Sequence, residues 1–147
     1  MTTRSSHPVL SYTDELAVKT AGPALLLTRV LIAALFFMTV VTGGPNAAYL
    51  GSLGYPDAAV MSTLAHAIEW TVCLSIILGA GLRYGALLGF VFVVIALLTA
   101  HRYWELSPAV QGLQYVFFTK DVAIAGGLLA LFIAGPGRFS IDEFLKR

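Results

Sequence analysis

Four long apolar runs constrain this chain more than any other feature. They cover residues 24–42, 58–79, 84–103 and 116–134, each about 20 residues, which at the helical rise spans the roughly 30 Å hydrocarbon core of a bilayer. Lipid offers no partner to backbone N–H and C=O groups, so a spanning segment must be a helix or part of a closed barrel. The runs lack the apolar-polar alternation of barrel strands. The expected fold is therefore all-α, a polytopic membrane four-helix bundle. Composition agrees, since 58% hydrophobic residues and a mean hydropathy of +0.83 over 147 residues exceed what a soluble domain of this size hides.

The runs divide the chain. Residues 1–22 read as a polar N-terminal tail with Pro8, Asp14 and Glu15, too long and too acidic for a secretory leader, and no small-residue cleavage pattern follows the first span. Residues 23–136 form the four-span domain. Residues 137–147 form a second tail, in which Ser140 and Glu143 have capping-box spacing for a short helical turn. "TGGPNAAYLGSLGYPD" (42–57) is a loop with a short interfacial piece near Tyr49 and Leu50, and "GAGLR" (79–83) is a tight hairpin. Four spans put both termini and residues 79–83 on one side, together with Arg4, Lys19, Arg83, Arg138, Lys146 and Arg147. Arg102 and Lys120 lie toward the other. Basic loops stay cytoplasmic, so both termini are expected in the cytoplasm of a bacterial inner membrane.

A formal net charge of +1 without a long basic run argues against nucleic acid as a partner. The lone Cys73 excludes an intrachain disulfide and a CxxC redox pair.

The second run carries the chemistry. Ser62, His66, Glu69 and Cys73 recur at intervals of four, three and four and so share one helix face, leaving Leu64, Ile68, Val72 and Ile76 for lipid. An ionisable group in hydrocarbon costs about 2.5–3.5 kcal/mol on insertion scales and turns inward to find partners. Arg29, His101, Lys120 and Asp121 are the partners on offer, and Arg29 with Glu69 is the favoured pair because guanidinium binds carboxylate bidentately. Each residue has a purely structural alternative. Arg29 and Glu69 would then fix helix register, His66 would be an interhelical hydrogen bonder, and Lys120 and Arg102 would snorkel. Gly81, Gly85 and Gly89 have the spacing of close helix packing.

Cofactor classes separate by ligand count. A di-iron carboxylate centre needs several Glu and Glu-x-x-His pairs, and the spans hold one His-x-x-Glu. A haem held by His66 and His101 would require two ligands whose depths differ by about 9 Å at helical rise, a poor match. A quinone suits the seam better, because its reduction consumes protons that a buried carboxylate and imidazole can relay.

Several motifs resemble the DoxX family of small bacterial four-helix membrane proteins. They are "LTRVLIAALFF", "LGYPDAAV", "AIEWTVCLSIILGAGLR", "LLTAHRYWE" and "FFTKDVAIAGGLLALFIAGPGRFSID", between residues 24 and 144. The stretch "MTVVTGGPNAAY" departs from the resemblance by lacking a lysine after the first span. The resemblance implies a redox-linked membrane role, with Arg29, Glu69, His101 and Lys120 on the polar positions. The leading expectation is a membrane subunit of a redox assembly that binds a quinone between its helices. Glu69, His66 and His101 would handle protons, Arg29 would tune Glu69, Trp70 and Trp104 would wall the slot, and Lys120 would complete it. Electrons would come from a partner subunit. A non-catalytic anchor or assembly subunit, working with other membrane subunits or further copies of itself, is the alternative. A small-solute transporter is third, with no broken span or inverted repeat to favour it.

Overall fold

The computed structural model of the chain describes residues 8–147, so Arg4 and His7 lie outside the described residues. In chain order the elements are α1 (Pro8–Val41), α2 (Ala47–Ser52), α3 (Ala58–Leu78), α4 (Leu82–Thr99), a 3-10 turn (Tyr103–Glu105), α5 (Pro108–Ala134) and α6 (Ile141–Phe144). Among the described residues there is no strand, and α1, α3, α4 and α5 are long and apolar enough to cross a membrane. The all-α four-span expectation holds.

Helix ends differ from the sequence reading for local reasons. Helix α1 begins at Pro8 instead of near residue 24. Proline suits a first turn, whereas the internal Pro23 costs the helix one backbone donor without ending it. Helix α5 starts at Pro108 behind Ser107, so Gln111 and Gln114 are helical where a link was expected. Helix α4 stops at Thr99. The chain then winds through Tyr103 and Trp104, whose rings meet Tyr115 and Phe118 at centroid distances of 5.1–5.8 Å.

The spans pack in the order α1, α3, α4, α5, with a lighter contact of α5 on α1 closing the ring, and α2 lies on α3. The core comprises Ala33 and Phe36 of α1, Val72, Cys73 and Ile76 of α3, Leu82, Ala86 and Val93 of α4, and Ala125, Leu128 and Leu131 of α5. Val72 and Ile76 are therefore buried and do not meet lipid, contrary to the expected face. Helix α3 has neighbours on two sides. Glu69 and Cys73 look toward α1, where Cys73 Sγ approaches Ala33 O at 3.5 Å. Val72 looks toward α4. Gly85 and Gly89 permit that approach: a Cβ at Gly89 would come within 2.9 Å of Val72, and one at Gly85 would collide with Ser75. Gly81 instead turns the chain with φ +57°. Leu31, Leu98 and Ile133 stay exposed, as lipid-facing side chains must.

The bundle has two dissimilar ends. The terminal end carries the 79–81 hairpin and residues 135–147. The loop end carries α2, the 3-10 turn and the start of α5.

Candidate functional site

At the terminal end Arg29 is 1% exposed. Its Nε donates to Ile76 O (2.8 Å), its Nη2 to Ile77 O (2.7 Å), and its Nη1 to Pro136 O (3.1 Å) and Phe139 O (2.5 Å). These carbonyls belong to the last turn of α3 and the turn after α5, where backbone acceptors lack helical partners and a cation is favoured. Asp142 completes the unit. Its Oδ1 accepts from Gly81 N (2.7 Å) and its Oδ2 from Leu82 N (3.0 Å), capping α4, while its own N–H donates to Gly79 O (3.0 Å). The Arg29–Glu69 pair is thus not formed. Helices α1 and α3 run antiparallel, so Arg29 lies level with Ile76, about two turns below Glu69.

Glu69 occupies a different environment. It is 3% exposed, and its Oε2 is buried without a hydrogen-bond partner among the described residues. The Gly43–Gly44 turn ends α1 with φ +92° and +40° and folds back so that Gly44 N donates to Thr39 O (2.8 Å). A Cβ on Gly44 would stand 3.1 Å from His66 Nε2 and 3.2 Å from Glu69 Oε2. Both atoms therefore border one point beneath the turn. His66 Nδ1 lies 2.8 Å from Ser62 O. A carbonyl only accepts, so Nδ1 carries the proton, and in neutral His66 the Nε2 facing Gly44 is an acceptor. With Glu69 ionised and His66 neutral, two acceptors converge on one place, and a hydrogen-bond donor would satisfy both.

A third cluster sits at the loop end. Asp121 of α5 is 8% exposed, with Oδ2 3.5 Å from His101 Nε2 and Oδ1 3.4 Å from Lys120 Nζ. His101 Nδ1 meets Gln114 Oε1 at 2.9 Å. The Tyr49 hydroxyl, in hydrogen-bond contact with Gln114, donates to Ala100 O at 3.2 Å and ties α2 to this network. Burial pushes the Tyr49 phenol above its ordinary range, a rise the Gln114 bond partly offsets.

The sequence-derived site residues therefore fall into separate places. Glu69 and His66 both border the Gly43–Gly44 turn. His101 and Lys120 meet at Asp121 elsewhere, so the two imidazoles belong to different clusters. Arg29 serves the terminal end. Trp70 is 40% exposed and turns to the outside, edge-on to Phe37 at 6.3 Å. Trp104 lies in the aromatic group of the 3-10 turn. Neither indole borders Glu69 in a common slot with Arg29. Gly44, Tyr49, Gln114 and Asp142 were not picked out from the sequence as site residues. The paired glycines of "TGGPN" were the one signal for Gly44, because successive positive-φ residues let backbone approach buried groups.

Four apolar spans around a buried polar seam define a polytopic integral membrane protein. The family model for the SURF4 family matches residues 19–147, and the chain belongs to that family. It is 31% identical over 130 residues to Inner membrane protein YphA of Escherichia coli, covering 84% of this chain and 91% of that one. Against Inner membrane protein YqjF of the same organism it is 30% identical over 128 residues, covering 84% and 92%. Surfeit locus protein 4 homolog of Schizosaccharomyces pombe is 30% identical over 103 residues, 67% of this chain and 34% of that longer protein. No solved structure matches. These findings overturn the DoxX resemblance. Several motifs that carried it, Arg29, the Gly-rich exit of α3 and "GPGRFSID", assemble into one packing unit at the terminal end.

Proposed function

We propose that this protein binds the polar head of a lipid-soluble molecule of the quinol and quinone class at Glu69, His66 and Gly44, as the membrane subunit of a redox-linked assembly. The observation that carries this reading is the buried Glu69 Oε2, without a partner among the described residues, facing the same point as His66 Nε2. An orphaned buried acceptor costs about 1–3 kcal/mol, and a hydroxyl donor removes that cost. A quinol hydroxyl supplies such a donor and a quinone carbonyl does not, so the reduced form binds more tightly. Oxidation of a quinol to a quinone releases two protons and two electrons; Glu69 and His66 accept one proton each, and the two electrons pass to a redox centre of a partner subunit. His101, Gln114 and Asp121 offer a second set of protonatable groups toward the loop end.

Both termini are assigned to the cytoplasm of a bacterial inner membrane. Lys19, Arg83, Arg138, Lys146 and Arg147 on the terminal end support the orientation, and the names of the two Escherichia coli relatives support the inner membrane alone. A non-catalytic anchor is the second reading, favoured by Arg29, whose bonds all go to backbone carbonyls.

The test is binding of a short-chain quinol to the detergent-solubilised chain. Wild type retains quinol better than quinone, and Glu69→Gln and Gly44→Val each lose that preference. Equal retention of quinol by wild type and Glu69→Gln refutes the reading and leaves the anchor.

A further inference from the structure

Most basic side chains among the described residues have an acceptor. Arg29 holds four carbonyls, Arg83 donates to Phe132 O (2.6 Å), Arg102 pairs with Glu105 (2.9 Å), Lys120 with Asp121 (3.4 Å) and Lys146 with Glu143 (3.7 Å). Lys19, Arg138 and the terminal Arg147 have no side-chain acceptor among the described residues, and the first two line the same groove. It measures about 260 Å³ and lies between α1 and the turn after α5, with Val18, Ala21, Gly22, Leu25 and Gly137 as its other walls. No acidic side chain among the described residues lines it. Gly22 is what lets Arg138 lie across α1, since a Cβ there would come within 2.5 Å of Arg138 Nε. The guanidinium also rests on the Phe139 ring, 4.6 Å from its centroid, which holds it beside the groove without using its N–H donors.

We infer that this groove binds a phosphate anion, and that its source is the headgroup of an acidic phospholipid at the terminal-end face of the membrane. Lys19 and Arg138 are exposed and stand on one groove without an ion pair, which favours an anion there, and a planar guanidinium matches the paired oxygens of a phosphate. The remaining walls are apolar and lie where a lipid-embedded helix leaves the hydrocarbon, so a headgroup bound there keeps its acyl chains alongside Leu25. A groove of this volume has room for a phosphodiester with its glycerol, since a water molecule takes about 30 Å³ of liquid. The groove shares no residue with the Glu69–His66–Gly44 cluster.

The test is native mass spectrometry of the full chain released from detergent micelles. The micelles are supplied in separate arms with phosphatidylglycerol, with phosphatidylcholine of the same acyl chains, or with inorganic phosphate. Phosphatidylglycerol is expected to remain bound in preference to phosphatidylcholine. The double variant Lys19→Gln/Arg138→Gln weakens that retention about tenfold or more. The double variant Lys146→Gln/Arg147→Gln removes equal charge from the same end and leaves retention unchanged. Gly22→Leu keeps both charges but displaces the guanidinium, and it weakens retention as well. Equal retention of the two lipids by wild type, or an equal loss in the two double variants, overturns the site. Retention of inorganic phosphate without phosphatidylglycerol overturns the lipid source.

Discussion

Arg29 and Glu69 are both charged residues inside the bundle, yet the protein treats them in opposite ways. Arg29 makes four bonds to carbonyls drawn from two segments, and Asp142 closes the same unit by capping α4. Glu69, of similar burial, keeps one oxygen without a partner beside an imidazole nitrogen that also accepts. The first arrangement spends a charge on architecture, since it joins the end of α3 to the turn after α5 through one side chain. The second leaves an acceptor with no partner among the described residues. Burial of a charge in a membrane bundle is thus weak evidence of function until its bonds are counted.

The comparison breaks most readily at Arg29. Arg29→Met strands the carbonyls of Ile76, Ile77, Pro136 and Phe139, and a loss of about 3–5 kcal/mol is expected in unfolding of the detergent-solubilised protein. A smaller change would mean that the clamp does not hold the terminal end. Gly79→Ala ranks next. Position 79 has φ +65°, and a Cβ would come within 2.6 Å of Arg29 Nη2, so about 1–3 kcal/mol is lost by the same measurement. Asp142→Asn keeps the shape of the α4 cap but removes its charge, at about 1 kcal/mol. Glu69→Gln sharpens the contrast from the other side. It leaves stability unchanged or raises it by up to about 1 kcal/mol, because a charge with an unmet bond is removed, while quinol binding is lost. A destabilisation as large as that of Arg29→Met would make Glu69 a second structural residue.

Tyr49 gives the smallest effect and a pH dependence. Its folded-state pKa is raised above the ordinary phenol value of 10.0, chiefly by burial. Folding therefore favours the protonated phenol. The contribution is fully present below about pH 10 and is lost as pH rises through the higher folded value. Alkaline titration followed by tyrosinate absorbance shows this as a late-titrating phenol that Tyr49→Phe removes.

The four spans were legible because a bilayer imposes length and apolarity on any segment that crosses it, and "GAGLR" and "TGGPN" announced their turns through glycine. That His66 and Glu69 share a face followed from their spacing. Their two-sided surroundings did not, because spacing says nothing about how many neighbours a helix has. This is why Val72 and Ile76 were expected in lipid and lie in the core. The Arg29–Glu69 pair failed for a related reason. Opposite charges on adjacent helices look complementary in a list, but antiparallel helices fix depth, and depth puts Arg29 against Ile76 O and Ile77 O. Nor does sequence reveal that residues 136–139 return to the same guanidinium. The family followed a similar course, for motifs shared through a packing need pointed to DoxX, whereas the chain as a whole matches the SURF4 family.

The central claim is that Glu69 accepts a hydrogen bond from a bound quinol hydroxyl beneath Gly44. Infrared difference spectroscopy on addition of quinol tests it most directly, with Glu69→Gln as the reference. A change in a carboxyl or carboxylate band is expected in wild type and not in Glu69→Gln. A wild-type spectrum with quinol bound and no such band, or one identical to that of Glu69→Gln, would contradict it.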